Sequence, residues 1–405
     1  MKAIRQGLLT ASVIGILWSF IIGVTVAVAM SFATGLSFLP SMLGCLILGL
    51  AFGLIAMFVK NRSLVYALII VSGTLALFTP ISPITVGSDV SLVQQIICGL
   101  LFAASMALPL HNMLQEVTTP GALTRHTFED AVIRFLTGFG YVFFTAIVLI
   151  PFYVMVMTSL KSQQALMQNP LDFSIDFSRG WDLFRSYIEL FEQFNFGSYL
   201  WTSFYVSVLT VIITLIFSVP GAYAVARLNF KGRAAFSRGI LLIYMVPMIV
   251  LALPIYIGYS MVGLRNTVTG LILIYPVTTI PVALYMLQGY FRGLPAEVEE
   301  AGLMDGLTRL QVIIKITLPL SLPAMVSVSL YVFMIAWNEF LLAFMLLDDP
   351  SKFTLTRGVT MLNSSEIPRQ HLMAGAVIAT VPIMALFLGL ERFMTKGLTA
   401  GSVKG

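Results

Sequence analysis

Charge is what this chain has least of. Only 10% of its 405 residues are Asp, Glu, Lys or Arg, against 58% that are hydrophobic, and the mean hydropathy is +0.95. A soluble domain carries roughly 25% charged residues. A chain this poor in charge cannot keep a surface wet, so the membrane is its solvent. Cysteine is nearly absent. Cys45 and Cys98 lie inside apolar runs, form neither a CxxC pair nor a metal-ligand spacing, and read as small buried hydrophobes. The three histidines, His111, His126 and His371, are scattered near span ends or in loops, and no spacing among them makes a metal site. There is no GxxxxGKS/T phosphate loop, which excludes ATP binding of the usual kind. No Ser-His-Asp set or paired carboxylate suggests catalysis, so the chain is read as a non-enzyme without a cofactor of its own. The formal charge of +5 comes without a basic run or an aromatic-interleaved basic face, which argues against a nucleic-acid partner.

Apolar runs of membrane length are abundant. About twenty apolar residues cross a bilayer as a helix, and ten such runs occur, at about 7–30, 37–59, 64–82, 91–110, 135–159, 199–225, 239–261, 268–290, 322–347 and 371–390. The expected fold is therefore an all-α polytopic membrane protein of about ten transmembrane helices. The first run is too long for a signal-peptide core and is followed by further spans, so it reads as a retained helix. Prolines inside or near spans, such as Pro220, Pro276 and Pro281, are tolerated where neighbouring helices satisfy the freed carbonyls. Threading ten spans places sixteen of the 23 Lys and Arg on the side that holds both termini and seven on the other. The richer side is cytoplasmic by the positive-inside rule. The predicted location is a cell membrane, crossed many times, with both ends in the cytoplasm.

The chain divides unevenly. Residues 1–118 hold four spans with short loops and no motif. Residues 119–133 continue the Thr118-Thr119-Pro120-Gly121 break and read as a cytoplasmic linker. Residues 134–405 hold six spans and every informative motif. The most telling stretch is 295–323, PAEVEEAGLMDGLTRLQVIIKITLPLSLP, which is polar and acidic between two apolar runs. Pro295 suits a helix start, and Glu297, Glu299 and Glu300 favour the positive end of that helix. Gly306 breaks it. Thr308 with Gln311 has the form of a capping box opening a second helix. On these grounds alone, a helix–turn–helix on the cytoplasmic face is either an interfacial loop or a docking site for something soluble.

The ordered set Glu300-Ala301-Gly302, Asp305-Gly306, Ile316 and Leu318-Pro319 resembles the EAA loop of bacterial ABC importer permeases. The match is closest to the maltose-type carbohydrate importers and their MalG-like subunit. The resemblance covers the last two thirds of the chain, from about residue 134. It implies a six-helix permease core, with residues 1–118 as four additional helices, and a coupling loop at 295–320. It further implies that Glu299, Glu300, Ala301, Gly302, Asp305 and Gly306 seat in a cleft of an ATP-binding subunit. Gly302 stands where the motif has a second alanine. Both are small, so a docking surface can approach closely at Ala301 and Gly302. ATP and Mg would be bound by that partner ATPase dimer. The other implied partners are a second, homologous permease subunit, an extracytoplasmic sugar-binding protein and membrane lipid. The substrate class would be an oligosaccharide, disaccharide or polyol.

Other segments carry the same resemblance less specifically. The run from Ala222 to Arg227, followed by Phe230-Lys231-Gly232-Arg233, looks like the end of the family's second core span, and is a basic span end in any case. The tail, including Gly401, Ser402, Val403, Lys404 and Gly405, resembles tails that reach the ATPase interface, whereas small residues at a terminus ordinarily read as disordered. Trp337-Asn338-Glu339 lies within the ninth run. Glu339 is the one acidic residue that cannot be placed in a loop or at a span end, and it either lines the solute path or is a structural carboxylate paired within the bundle. The outer loop 348–370 is polar and long; the resemblance implies contact with the binding protein. The other outer loop, 161–198, has the spacing of an amphipathic surface helix around Trp181 to Phe191. A permease for a polyamine or phosphate ester, and an ion-coupled secondary transporter, are the rival readings. The latter would need ionisable residues deep in several spans.

Overall fold

The computed structural model describes residues 5–170, 172–364 and 366–399. The chain forms two compact units, Met1–Leu183 and Phe184–Gly405. Among the described residues nearly all regular structure is helical. Six helices among the described residues are long and apolar enough to cross a membrane, or seven if one bent pair counts as a span, and three further apolar helices have 10–17 residues. The protein is thus an all-α, multi-pass membrane protein.

In the first unit, α1 (Gly7–Thr34), α2 (Met42–Phe58), α3 (Arg62–Ala76), α4 (Leu92–Leu114), α5 (Arg125–Ser159) and the short α6 (Gln163–Gln168) follow one another, with strands β1 (Phe38–Pro40) and β2 (Ile84–Val86) between them. Side-chain caps set several boundaries. The Ser41 hydroxyl accepts from the Gly44 N–H to open α2, and Ser91 and Gln94 cap each other's backbone to open α4. The run expected to span from 37 to 59 is therefore shorter. Its first residues form β1, which pairs antiparallel with β2 in the register Phe38↔Val86, and the helix begins only after Pro40. The polar connector read at 119–133 is likewise half helix, because Thr124 caps α5 one residue ahead of Arg125. Trp18, Phe52, Phe102 and Met106 are buried at the unit's centre, and the Trp18 indole N–H donates to the Ser105 carbonyl at 3.2 Å.

α1 and α2 touch backbone to backbone. A Cβ on Gly15 would lie 2.2 Å from the Gly49 carbonyl oxygen, and one on Gly49 would lie 2.7 Å from the Gly15 oxygen. Small residues let membrane helices approach this closely, and packing is what holds them in lipid. Gly49→Leu is expected to force the pair apart and cost about 1–3 kcal/mol, lowering the thermal unfolding midpoint of the purified protein. Gly140→Leu, at a position with nothing within 4 Å of the new Cβ, is the control and should leave it unchanged.

The second unit is built on α8 (Phe196–Arg227), preceded by α7 (Arg185–Gln193), and continues through α9 (Arg233–Tyr244), α10 (Met248–Met261), α11 (Val268–Gly293), α12 (Ala296–Met304), α13 (Arg309–Val312), α14 (Leu318–Leu320), α15 (Leu322–Asn338), α16 (Leu341–Leu346), α17 (Leu355–Met361) and α18 (Arg369–Thr399). The buried stripe of α8 is rich in hydroxyls, with Ser203, Ser207, Thr210, Thr214 and Ser218 all within it. It packs on α11, where the Thr214 and Thr279 hydroxyls meet at 2.6 Å. Two expected spans are broken. The run 239–261 splits into α9 and α10 at Pro247, which has no N–H to continue the first helix. The run 322–347 ends as a helix at Asn338, because Glu339 is extended (φ −66°, ψ 123°). Its N-terminal end bends by 76° from the segment Arg309–Leu320.

Candidate functional site

α11 ends at Gly293, and the polar helix pair follows at once. α12 carries Glu297 and Glu299 in its first turn, where carboxylates meet the positive helix end. Its far end is closed by a left-handed glycine. Gly306 has φ +85°, its N–H donates to the Leu303 carbonyl at 3.1 Å, and the Leu307 N–H donates to the Gly302 carbonyl at 3.1 Å. This is the Schellman pattern that terminates helices at glycine. Thr308 and Gln311 then cap each other reciprocally and open α13. One π-helical turn, Ile313–Thr317, follows.

Glu299 is the buried anchor of this loop. Its Oε2 accepts from the Tyr223 hydroxyl at 3.1 Å, and its Oε1 accepts from the Thr317 hydroxyl at 3.0 Å. Arg227 Nε stands 3.4 Å from the same Oε1, while Arg227 Nη2 donates to the Leu294 carbonyl at 2.7 Å. One carboxylate therefore ties α12 to the end of α8 and to the π turn before α15. Gly302 also faces inward: a Cβ there would meet Ile316 Cδ1 at 2.5 Å. Gly302 is buried in the loop, beside Ile316, Val312 and Leu307. Ala301 does lie on the outer face. Glu297, Glu300, Met304, Asp305 and Gly306 are exposed with it, as are Leu310 and Ile314. The exposed face of α12 is thus acidic, and beyond the turn the basic Arg309 and Lys315 are exposed with the apolar Leu310 and Ile314. Of the six residues predicted to couple, Glu300, Ala301, Asp305 and Gly306 are on it, and Glu299 and Gly302 are beneath it. Tyr223 and Thr317 were not foreseen from sequence. Arg227 was read only as a basic span end, and nothing in a linear pattern shows a partner 72 residues away.

At the opposite end of α15, Trp337 is buried and its indole N–H donates to the Ala379 carbonyl at 3.0 Å. Asn338 is exposed and donates to the Met334 carbonyl. The Glu339 carboxylate accepts from the backbone N–H groups of Leu342 (2.8 Å) and Ala343 (3.1 Å). The carboxylate thus satisfies first-turn N–H groups of α16 from one residue ahead of its N-cap position, Phe340. The loop after α16 is ordered around Asn266, whose side-chain oxygen accepts from the N–H groups of Asp348 and Asp349, and Arg265 pairs with Asp348 at 2.7 Å. The Arg357 guanidinium lies over the rings of Phe344 and Phe353, 4.4 and 4.7 Å from their centroids.

α7 docks on α18 through Glu189, which pairs with Arg185 at 2.8 Å and with His371 Nε2 at 2.7 Å. The Arg185 bond, aided by the His371 bond, holds the Glu189 carboxyl below the usual glutamate range. A depressed carboxylate contributes stability above its unfolded pKa, and that contribution is lost as pH falls through the folded value. Acidification from pH 5 to 3 is therefore expected to loosen α7 in wild type more than in Glu189→Gln, as read by the pH dependence of limited proteolysis within 185–198. Elsewhere, Glu116, His126 and Asp130 place ligand atoms within 4.8 Å of one another. Glu116 is taken by Arg134, and His126 by Asp130 at 2.9 Å. The tail residues 401–405 lie outside the described residues.

Residues 218–399 match the family described as "Binding-protein-dependent transport system inner membrane component". The inner membrane ABC transporter permease protein YcjP of Escherichia coli K12 is 37% identical over 270 residues, covering 66% of this chain and 95% of that one. The trehalose/maltose transport system permease protein MalG of Thermococcus litoralis is 31% identical over 281 residues, 68% of this chain and 99% of that one. The trehalose transport system permease protein SugB of Mycobacterium tuberculosis is 36% identical over 225 residues, 55% and 82%. The fold is that of a chain in the crystal structure of a bacterial ABC transporter involved in the import of the acidic polysaccharide alginate, with TM-score 0.57 at 22% identity over 67% of this chain and 98% of that one. This chain belongs to the family of binding-protein-dependent transport system inner-membrane components.

Proposed function

We propose that this chain is a translocating permease subunit of a sugar importer, driven by ATP hydrolysis on a separate subunit. The observation that carries the coupling role is the α12–α13 pair, with a buried carboxylate locking it to α8 and an exposed face that is acidic along α12. Such an element transmits force only if something grips it. A rigid loop fixed to two spans converts motion of a docked partner into motion of those spans, which is coupling through a two-state element. Relatives named for trehalose/maltose, trehalose, arabinooligosaccharides and diacetylchitobiose support sugar as the solute class.

In this reading the ten apolar segments all cross the membrane, four of them ahead of the permease core, and both termini are cytoplasmic. The α12–α13 face docks an ATPase dimer that holds ATP and Mg, so the chain itself needs no cofactor. A second permease completes the path, and the ordered loop after α16 receives a sugar-loaded binding protein. The test is uptake of radiolabelled trehalose, maltose and longer oligosaccharides into proteoliposomes holding the full complex. ATP-dependent uptake that requires the binding protein is the expected result. Uptake without any ATPase subunit overturns the reading.

A further inference from the structure

A cavity of about 550 Å³ opens beside the start of α9 and is lined by Phe230, Arg233, Ser237, Arg238 and Arg292 among others. No Asp or Glu lines it. Its three arginines are not equivalent. Arg233 is committed to the end of α8, donating to the Val225 carbonyl at 2.7 Å, the Ala226 carbonyl at 3.0 Å and Asn229 Oδ1 at 3.0 Å. Arg292 is steadied at the wall by the Gln288 carboxamide, whose oxygen accepts from both terminal nitrogens in the orientation that also serves Ser237. Neither Arg238 nor Arg292 has a carboxylate partner among the described residues, and both are exposed. The turn at Gly232 (φ +89°) starts α9 at the same place, so the first amides of a twelve-residue helix add to the positive field. Two exposed guanidinium groups, one committed guanidinium and a helix start therefore converge on an opening lined by no Asp or Glu.

The surroundings say what kind of anion fits. Leu242 lies one helical turn beyond Arg238, on the same face, and is 64% exposed, and Met245 after it is 75% exposed. A cationic mouth leading onto a bare apolar track suits an amphiphile. We infer that the Arg233–Arg238–Arg292 cavity binds the phosphate of an anionic phospholipid, with an acyl chain lying along Leu242. Basic pockets between spans recognise such headgroups, and each basic residue contributes measurably to the attraction.

The test is native mass spectrometry of the full chain purified in neutral detergent and titrated with phosphatidylglycerol, phosphatidylcholine or inorganic phosphate. Wild type is expected to retain phosphatidylglycerol at least tenfold better than phosphatidylcholine. The Arg238→Gln/Arg292→Gln double variant is expected to lose about tenfold in that retention, and Arg238→Lys/Arg292→Lys to recover most of it. Both positions are exposed, and the cap residue Arg233 is left untouched, so unfolding is not the anticipated outcome; an unchanged thermal midpoint checks this. Equal retention of the two lipids, or equal retention by wild type and the Gln double variant, overturns the inference. So does displacement of the lipid by equimolar inorganic phosphate, which would make the site one for a free anion. Loss of an associated ATPase subunit with lipid retention intact overturns it as well, in favour of an acidic protein surface.

Discussion

Gly306→Pro is expected to reduce sugar-stimulated ATPase activity of the reconstituted complex to its unstimulated level, with membrane insertion intact. Gly306 holds φ +85°, whereas proline is locked near −65°. The substitution also removes the N–H that donates to the Leu303 carbonyl. The turn between α12 and α13 cannot then close, and the outward face carrying Glu300, Ala301 and Asp305 is displaced as a unit. Gly306→Ala should be intermediate, since a non-glycine residue in the left-handed region costs about 1–2 kcal/mol. Glu300→Lys separates geometry from charge. Its side chain is exposed, so the fold is expected to survive while docking is lost. Full sugar uptake in both Gly306→Pro and Glu300→Lys would remove the coupling role from this loop.

The second large effect is expected at Glu299, and for a different reason. Glu299→Leu leaves Arg227 without its carboxylate partner and strips Tyr223 and Thr317 of their acceptor. Breaking one partner of a buried pair costs about 3–5 kcal/mol, whereas removing both is often close to neutral. The site sits at a bundle end, with both side chains slightly exposed, so the lower figure applies. Coupled uptake should fall by at least tenfold in Glu299→Leu, and Glu299→Leu/Arg227→Leu should regain thermal stability relative to the single variant. A double-mutant cycle on the unfolding midpoint and on uptake measures both. Additive losses, with no recovery in the double variant, would show that the carboxylate and the guanidinium do not work as a pair.

The sequence made the membrane setting, the helical class and the position of the polar loop legible, because these follow from local composition. A chain with 10% charged residues has only one solvent available to it, and twenty apolar residues in a row have only one way to cross it. The Thr308–Gln311 cap and the turn at Gly306 were readable because the residues that make them are three or four apart or act alone. Broken spans were harder. Pro247 was visible inside a long apolar run, but prolines at 220, 276 and 281 lie within helices that stay continuous, so the residue type alone does not announce a break. Glu339 gave a signal without its meaning: an isolated acid in an apolar run marks something, and that its carboxylate accepts from the first-turn N–H groups of α16 depended on where the chain next turned.

Which residues face inward was settled by tertiary structure alone. Glu299 and Glu300 are neighbours with the same chemistry, and 100° of helix rotation puts one against Tyr223, Arg227 and Thr317 and the other in solvent. Gly302 sits in the same linear motif as the exposed Ala301, yet it is buried, with Ile316 of the π turn packed beside it. The sequence by itself determined what must leave water and where a soluble partner could be met. The pairing of distant polar groups, and so the stiffness of the loop, came from packing, because burial and hydrogen bonding depend on three-dimensional neighbours that one-dimensional spacing does not encode.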